Sequence, residues 1–125
     1  MTIIDSHNAP VFAIGPIQFI GLASPSRGST DNAVWRLHVP AATPANGTHR
    51  VTREEVFVAI SGTANVWLGG QSALLSAGSA LVVPPHTEFS ISNDSDQAFE
   101  AVVVLPVGGH AVMGDGPAFT PPWAS

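Results

Sequence analysis

Thr48-His-Arg-Val-Thr-Arg-Glu-Glu-Val-Phe-Val-Ala-Ile-Ser-Gly62 is the stretch that decides the fold. It passes from a histidine through a polar turn to a carboxylate, then into a run of apolar and β-branched residues closed by a glycine. Such an order predicts two short strands joined by a tight turn. It also places His49 and Glu55 where both can face one cavity.

The flanking sequence has the same character. Ala33–Pro40 alternates strictly, with Trp35, Leu37 and Val39 on one face and Val34, Arg36 and His38 on the other. Period two marks a strand, and Pro40 ends it. The apolar face belongs to the core, whereas Arg36 and His38 face either solvent or a polar barrel interior; both readings stand at this point. Upstream, Pro10–Ile14 and Ile17–Ala23 are two short apolar segments split by Gly15-Pro16. They predict a strand that pairs with the sheet or with a partner subunit. Downstream, Thr63–Leu68 and Gln71–Leu75 flank Gly69-Gly70, a turn that supplies positive φ without steric cost. Ala80–Val83 and Gln97–Pro106 add further strands, the latter through Phe99, Ala101, Val103 and Leu105. From Gly108 to Ser125 an irregular tail is expected, because Pro121-Pro122 precludes regular structure. Phe119 and Trp123 are expected to pack their rings on the barrel.

Composition narrows the function. The chain has 125 residues, room for one domain, with 12 glycines and 11 prolines. Dense turns and few charged faces point to an all-β protein. Its four cations, Arg27, Arg36, Arg50 and Arg53, stand against nine carboxylates, for a net charge of −5. Nucleic acid and anionic membranes are therefore not expected as partners. Lysine is absent, which closes off Schiff-base chemistry. Without cysteine or tyrosine there is no thiolate nucleophile, disulfide or phenolic acid either. The N-terminus has neither the basic region nor the apolar core of a signal peptide, and no apolar run approaches a membrane span. A cytoplasmic protein is expected. Arg50 and Arg53 should point outward, and His7 and His110 should lie on the surface. Glu88, Asp94 and Asp96 match no calcium loop, and no phosphate loop, dinucleotide fingerprint or nucleophile elbow occurs.

Two motifs carry a resemblance. Thr48–Gly62 resembles the first motif of the cupin superfamily, G-x5-H-x-H-x3,4-E-x6-G, with His49, Glu55 and Gly62 in register and Val51 at the second histidine. Gly78–Asn93 is similar to the second motif, G-x5-P-x-G-x2-H-x3-N. Gly78, Pro84 and Asn93 are in register there, His86 stands at the second glycine and Phe89 at the histidine. The resemblance implies a single jelly-roll β-barrel over residues 1–125, its core about 10–107 and its tail 108–125. It also implies a family metal centre of three histidines and one glutamate, of which only His49 and Glu55 remain. His38 or His86 would have to swing in to rescue it. No cofactor is expected, with a divalent transition metal as the alternative.

His49 and Glu55 are thus the candidate catalytic pair, with Arg36, His38, Val51, Phe57, Trp67 and Phe89 as candidate pocket walls. Burial raises a carboxylate pKa and a nearby imidazolium lowers it, so such a pair can exchange a proton near neutral pH. A small organic ligand is expected, handled by metal-independent acid–base chemistry such as isomerisation, cyclisation or elimination. A metal-dependent oxygenase with an incomplete ligand set and a non-catalytic binding module are the alternatives. The family resemblance and the edge formed by residues 1–23 also suggest a homodimer.

Overall fold

Alternation in the sequence becomes layering in space. The computed structural model describes residues 1–125 and contains no α-helix. Eleven strands follow one another: β1 (Val11–Ile14), β2 (Ile17–Ala23), β3 (Asn32–Val39), β4 (His49–Val51), β5 (Glu55–Ser61), β6 (Thr63–Leu68), β7 (Gln71–Ser76), β8 (Ala80–Val83), β9 (Phe89–Ser92), β10 (Phe99–Pro106) and β11 (Ala111–Met113). They form two antiparallel sheets ordered β1-β2-β3-β10-β5-β8 and β11-β4-β9-β6-β7. The architecture is the all-β jelly-roll barrel expected, and its core lies between the sheets.

Strand β10 is the spine of the larger sheet. It pairs with β3 over eight residues, from Phe99↔Val39 to Pro106↔Asn32, and with β5 on its other side. Its inward residues Phe99, Ala101, Val103 and Leu105 are buried, and they meet Trp35, Leu37 and Val39 of β3 in one cluster. Burying side chains of this size stabilises the fold by roughly 1.5–3 kcal/mol each for the larger ones.

The motif residues have plain physical roles. At Gly62 φ is +74° and an added Cβ would lie 2.2 Å from the carbonyl oxygen of Ala98, so only glycine fits where β5 passes into β6. Gly69 and Gly70 both have positive φ, the geometry that joins two twisted strands in a two-residue turn. Asn93, 1% exposed, is a buried clamp. Its amide nitrogen donates to the carbonyls of Gln97 (2.8 Å), Val39 (3.2 Å) and Pro40 (3.2 Å). Its side-chain oxygen accepts from the Ser95 amide at 3.0 Å and the Ser95 hydroxyl at 2.7 Å. The end of β3 and the β9–β10 connection are therefore tied through one side chain.

The C-terminal segment departs from the irregular tail expected. Ala111–Met113 pairs with β4, and Phe119 returns to exchange two backbone hydrogen bonds with Ala111, at 2.9 and 3.0 Å. The barrel therefore continues past residue 107. A three-residue strand among glycines shows no alternation, which is why the sequence hid it. Trp123 packs as expected, stacking on Phe19 with centroids 3.8 Å apart and meeting Trp35 edge-on. Arg27 holds the segment from outside, donating to the Trp123 carbonyl at 3.3 Å. Phe119 stays 40% exposed, at a rim rather than in the core.

Replacing Asn93 by alanine leaves three carbonyls competing for lost donors. The expected loss is about 3 kcal/mol in urea unfolding. A loss below about 1 kcal/mol would show that solvent reaches those carbonyls.

Candidate functional site

His49 opens β4, Glu55 opens β5 and Phe89 opens β9. Parity along β5 turns Glu55, Phe57 and Ala59 inward and leaves Glu54 and Val58 outside. The turn before it is pinned at Thr52, whose amide and hydroxyl engage the carbonyl and amide of His110, both at 2.9 Å. His49 and Glu55 thereby reach one cavity of about 290 Å³ between the sheets, in which they are the only ionisable side chains. Its walls are aromatic and aliphatic. Trp35 and Leu37 come from β3, Phe57 from β5, Phe89 from β9, and Trp123 from the C-terminal segment.

Burial sets the protonation of both groups. Glu55 is 4% exposed, and loss of hydration pushes its pKa up to about 8. The same cause lowers His49 to about 4. No hydrogen bond or charge within the protein contributes to either shift. At neutral pH the cavity therefore presents a protonated carboxylic acid and a neutral imidazole. An imidazolium pulling the carboxylate down does not arise here, because desolvation dominates at both residues. The His49 ring lies against Phe89, centroids 4.1 Å apart, and Phe57 meets Phe89 edge-on at 5.9 Å.

Of the pocket walls read from sequence, Val51, Phe57 and Phe89 line the cavity, together with His49 and Glu55. Arg36, His38 and Trp67 do not. β3 spends its inward parity on Trp35, Leu37 and Val39, so Arg36 is exposed and His38 sits half-buried on the outer face, hydrogen-bonded to Glu100. The interior is apolar rather than polar, and that settles their direction. Trp67 faces outward because Ala64 and Val66 fill the inner parity of β6. Sequence reasoning took Trp35 and Leu37 for plain core, missed the exposed Met113 and the buried Pro121, and gave no cavity role to Trp123. The tryptophan in a proline-rich tail was the one available signal.

The donor set does not fit the family metal. Val51 is 2% exposed and Phe89 fully buried at the positions where nitrogen donors would stand, and neither can bind a cation. His86 lies exposed in a turn at φ 62°, the conformation a glycine would take there, with its amide bonded to the Val51 carbonyl at 2.7 Å. Neither it nor His38 lines the cavity. Nowhere do three histidine or carboxylate side chains gather.

Residues 35–105 match the family model described as Cupin domain. No curated protein sequence matches the chain. Among solved structures, the polyketide cyclase RemF from Streptomyces resistomycificus is similar, with a TM-score of 0.75 and 14% identity over 85% of this chain and 79% of that one. A predicted oxalate decarboxylase from Thermotoga maritima gives 0.70 and 16%, over 90% and 99%. KdgF from Halomonas sp. gives 0.65 and 19%, over 83% and 93%. At these identities the likeness is one of fold.

Two outcomes are expected. Protein purified without chelator or a metal-affinity tag should hold far less than one transition-metal ion per chain by elemental analysis, unchanged by His49→Ala. Stability should also fall between about pH 6.5 and 8. Glu55, raised from 4.5 to about 8, contributes fully below pH 4.5 and loses its contribution as pH rises to 8. His49, lowered from 6.5 to about 4, contributes fully above pH 6.5 and loses its contribution as pH falls to 4. The two slopes cancel from about 4.5 to 6.5. Above that only Glu55 titrates, which removes roughly 2 kcal/mol by pH 8. Chemical unfolding of wild type and Glu55→Gln across this range checks it, since the variant should not show the fall.

Proposed function

The chain belongs to the cupin domain family, and from that premise we propose that its barrel binds a small, uncharged, largely apolar carbonyl compound and acts on it without a metal. One observation carries this reading: a carboxyl that is 4% exposed, and so pushed by burial to a pKa of about 8, faces a cavity lined by no arginine. A protonated carboxyl in an apolar site is a strong hydrogen-bond donor to a carbonyl oxygen. The cavity is a poor host for an anion, because no cationic side chain lines it to balance the charge. At about 290 Å³ the cavity lies at the lower end of the roughly 300–1,000 Å³ typical of ligand sites, so the ligand is small.

The chemistry follows from the two neutral groups. Glu55 gives its proton to the carbonyl oxygen while a ring nitrogen of His49 takes a proton from the adjacent carbon. The product is an enol, with a carboxylate and an imidazolium left in the cavity. Their opposite charges offset part of the desolvation each would meet alone. Return of the protons, with delivery to a different carbon, isomerises the compound and restores both groups. Ring closure or elimination begins from the same enol. Aromatic walls at Trp35, Phe57 and Phe89 exclude water, which strengthens each hydrogen bond to the reacting atoms.

The depressed basicity of His49 favours a second reading, passive binding of the same ligand. Turnover separates the two. With a cyclisable or isomerisable ketone found by thermal-shift screening, Glu55→Gln and His49→Ala should each lower kcat by 10²–10⁴-fold, the usual contribution of a positioned acid or base. Binding should survive in both variants. The rate should hold from about pH 4 to about pH 8 and fall outside those limits, as His49 gains and Glu55 loses its proton. No turnover, with only modest loss of affinity in the variants, would leave binding alone.

A further inference from the structure

Outside the barrel the smaller sheet carries a second concavity that the proposed function does not use. Trp67 lies on the outer face of β6, paired in register with Ser72 of β7 on one side and Ser90 of β9 on the other. Two residues along the strand, Asn65 faces Ser92. These side chains and Ala45 of the β3–β4 connection line an open groove of about 350 Å³ that contains no charged residue. The volume lies within the range of ligand sites.

The polar groups of the groove are left free by the protein. The hydroxyls of Ser72, Ser90 and Ser92 enter no intramolecular hydrogen bond, and the Asn65 amide group uses only its oxygen, which accepts from the Asp94 amide at 3.2 Å. Trp67 has no comparable structural duty. The other two tryptophans pack together in the core cluster, whereas this ring is half-buried between serines on both neighbouring strands. The lining of the groove is half apolar, with Ala45, Val66 and Ala73 beside the indole, and half serine and asparagine. The ring thus offers a flat π-face flanked by donors and acceptors.

We infer that this groove is a binding site for a neutral saccharide, free or carried as a glycan. The negative face of an indole attracts positively polarised C–H bonds, and one side of a pyranose ring presents a set of them. The ring's hydroxyls then meet the serine hydroxyls and the free nitrogen of the Asn65 amide, each able to donate. Lack of charge in the groove selects uncharged sugars over uronic acids and phosphosugars. The groove adjoins the cavity at Ala45 and Ser90, but Asn65, Trp67 and Ser72 line it alone, so a sugar held there anchors or localises the protein rather than feeding the Glu55 chemistry.

Titration of ¹⁵N-labelled full-length protein with cellohexaose, xylohexaose, maltohexaose, mannohexaose and chitohexaose tests it. The indole N–H resonance of Trp67 is the readout. At least one of these sugars should shift that resonance saturably, and Trp67→Ala should weaken binding about tenfold or more. Ser72→Leu, which fills the groove while keeping the indole and lies outside the cavity, should do the same and decides the matter should Trp67→Ala fail to fold. Glu55→Gln should leave the shift intact. A glycoprotein bearing the same terminal sugar should compete if the natural source is a glycan, and the free oligosaccharide alone should act otherwise. The inference is overturned if no sugar moves the Trp67 resonance at millimolar concentration. It is overturned equally if the shifts appear at Trp35 and Trp123 instead, or if binding survives Ser72→Leu.

Discussion

Strand β10 is hydrogen-bonded along both edges, and the arrangement of the barrel depends on that double ladder. With β3 on one side and β5 on the other, its four inward side chains can sit only between the sheets. The parity of β3 and β5 is fixed with it. Trp35, Leu37 and Val39 must turn in, Arg36 and His38 must turn out, and Glu55 must join Phe57 and Ala59 in the interior. A one-residue slip would exchange all of these at once. The acid in the cavity is thus held by the register of the larger sheet, and its lost hydration is the cost of that register.

Much of this was legible in the chain. Strict alternation gave β3 and β10, the paired glycines gave the β6–β7 turn, and the resemblance of two motifs, with Gly62 and Asn93 among their framework positions, implied the barrel. Each is a local signal with a local physical cause: a φ only glycine tolerates at Gly62, a side chain that satisfies several backbone groups at Asn93. Direction was harder. Whether the polar face of β3 looks into a barrel or out of it depends on what the opposing sheet offers, and no window of β3 contains that. Trp67 misled for the same reason, because its inward or outward aim depends on Val66 and Ala64 filling the inner face. The protonation of His49 and Glu55 was open as well, since it follows from how fully two sheets dry a space that neither sheet defines alone.

The replacements at Val51 and Phe89 change the character of the site. A cation held by nitrogen donors needs a polar, hydrated approach and keeps nearby carboxyl groups ionised. Here a valine and a phenylalanine close over those positions, and the Phe89 ring packs on His49 instead. With no nitrogen donor at either position, what sets the Glu55 carboxyl is its lost hydration, which pushes its pKa up to about 8. Val51 and Phe89 are side chains of a size the core packs readily.

β4 joins the rest of its sheet through a narrow seam. It shares three register pairs with β11 but a single one, His49↔Phe89, with β9, supplemented by the His86 amide on the Val51 carbonyl and by Glu88, which takes the Thr48 hydroxyl and pairs with Arg50. Cooperative opening of a sheet costs least where the fewest ladder bonds must break. β4 and β11 are therefore the part of the smaller sheet with the least ladder to break, and His49 lies on it while Glu55 opens β5 in the other sheet. The two ionisable groups of the cavity are thus divided between a weak join and the long ladders of β10, so their spacing is the dimension of the site most sensitive to local opening.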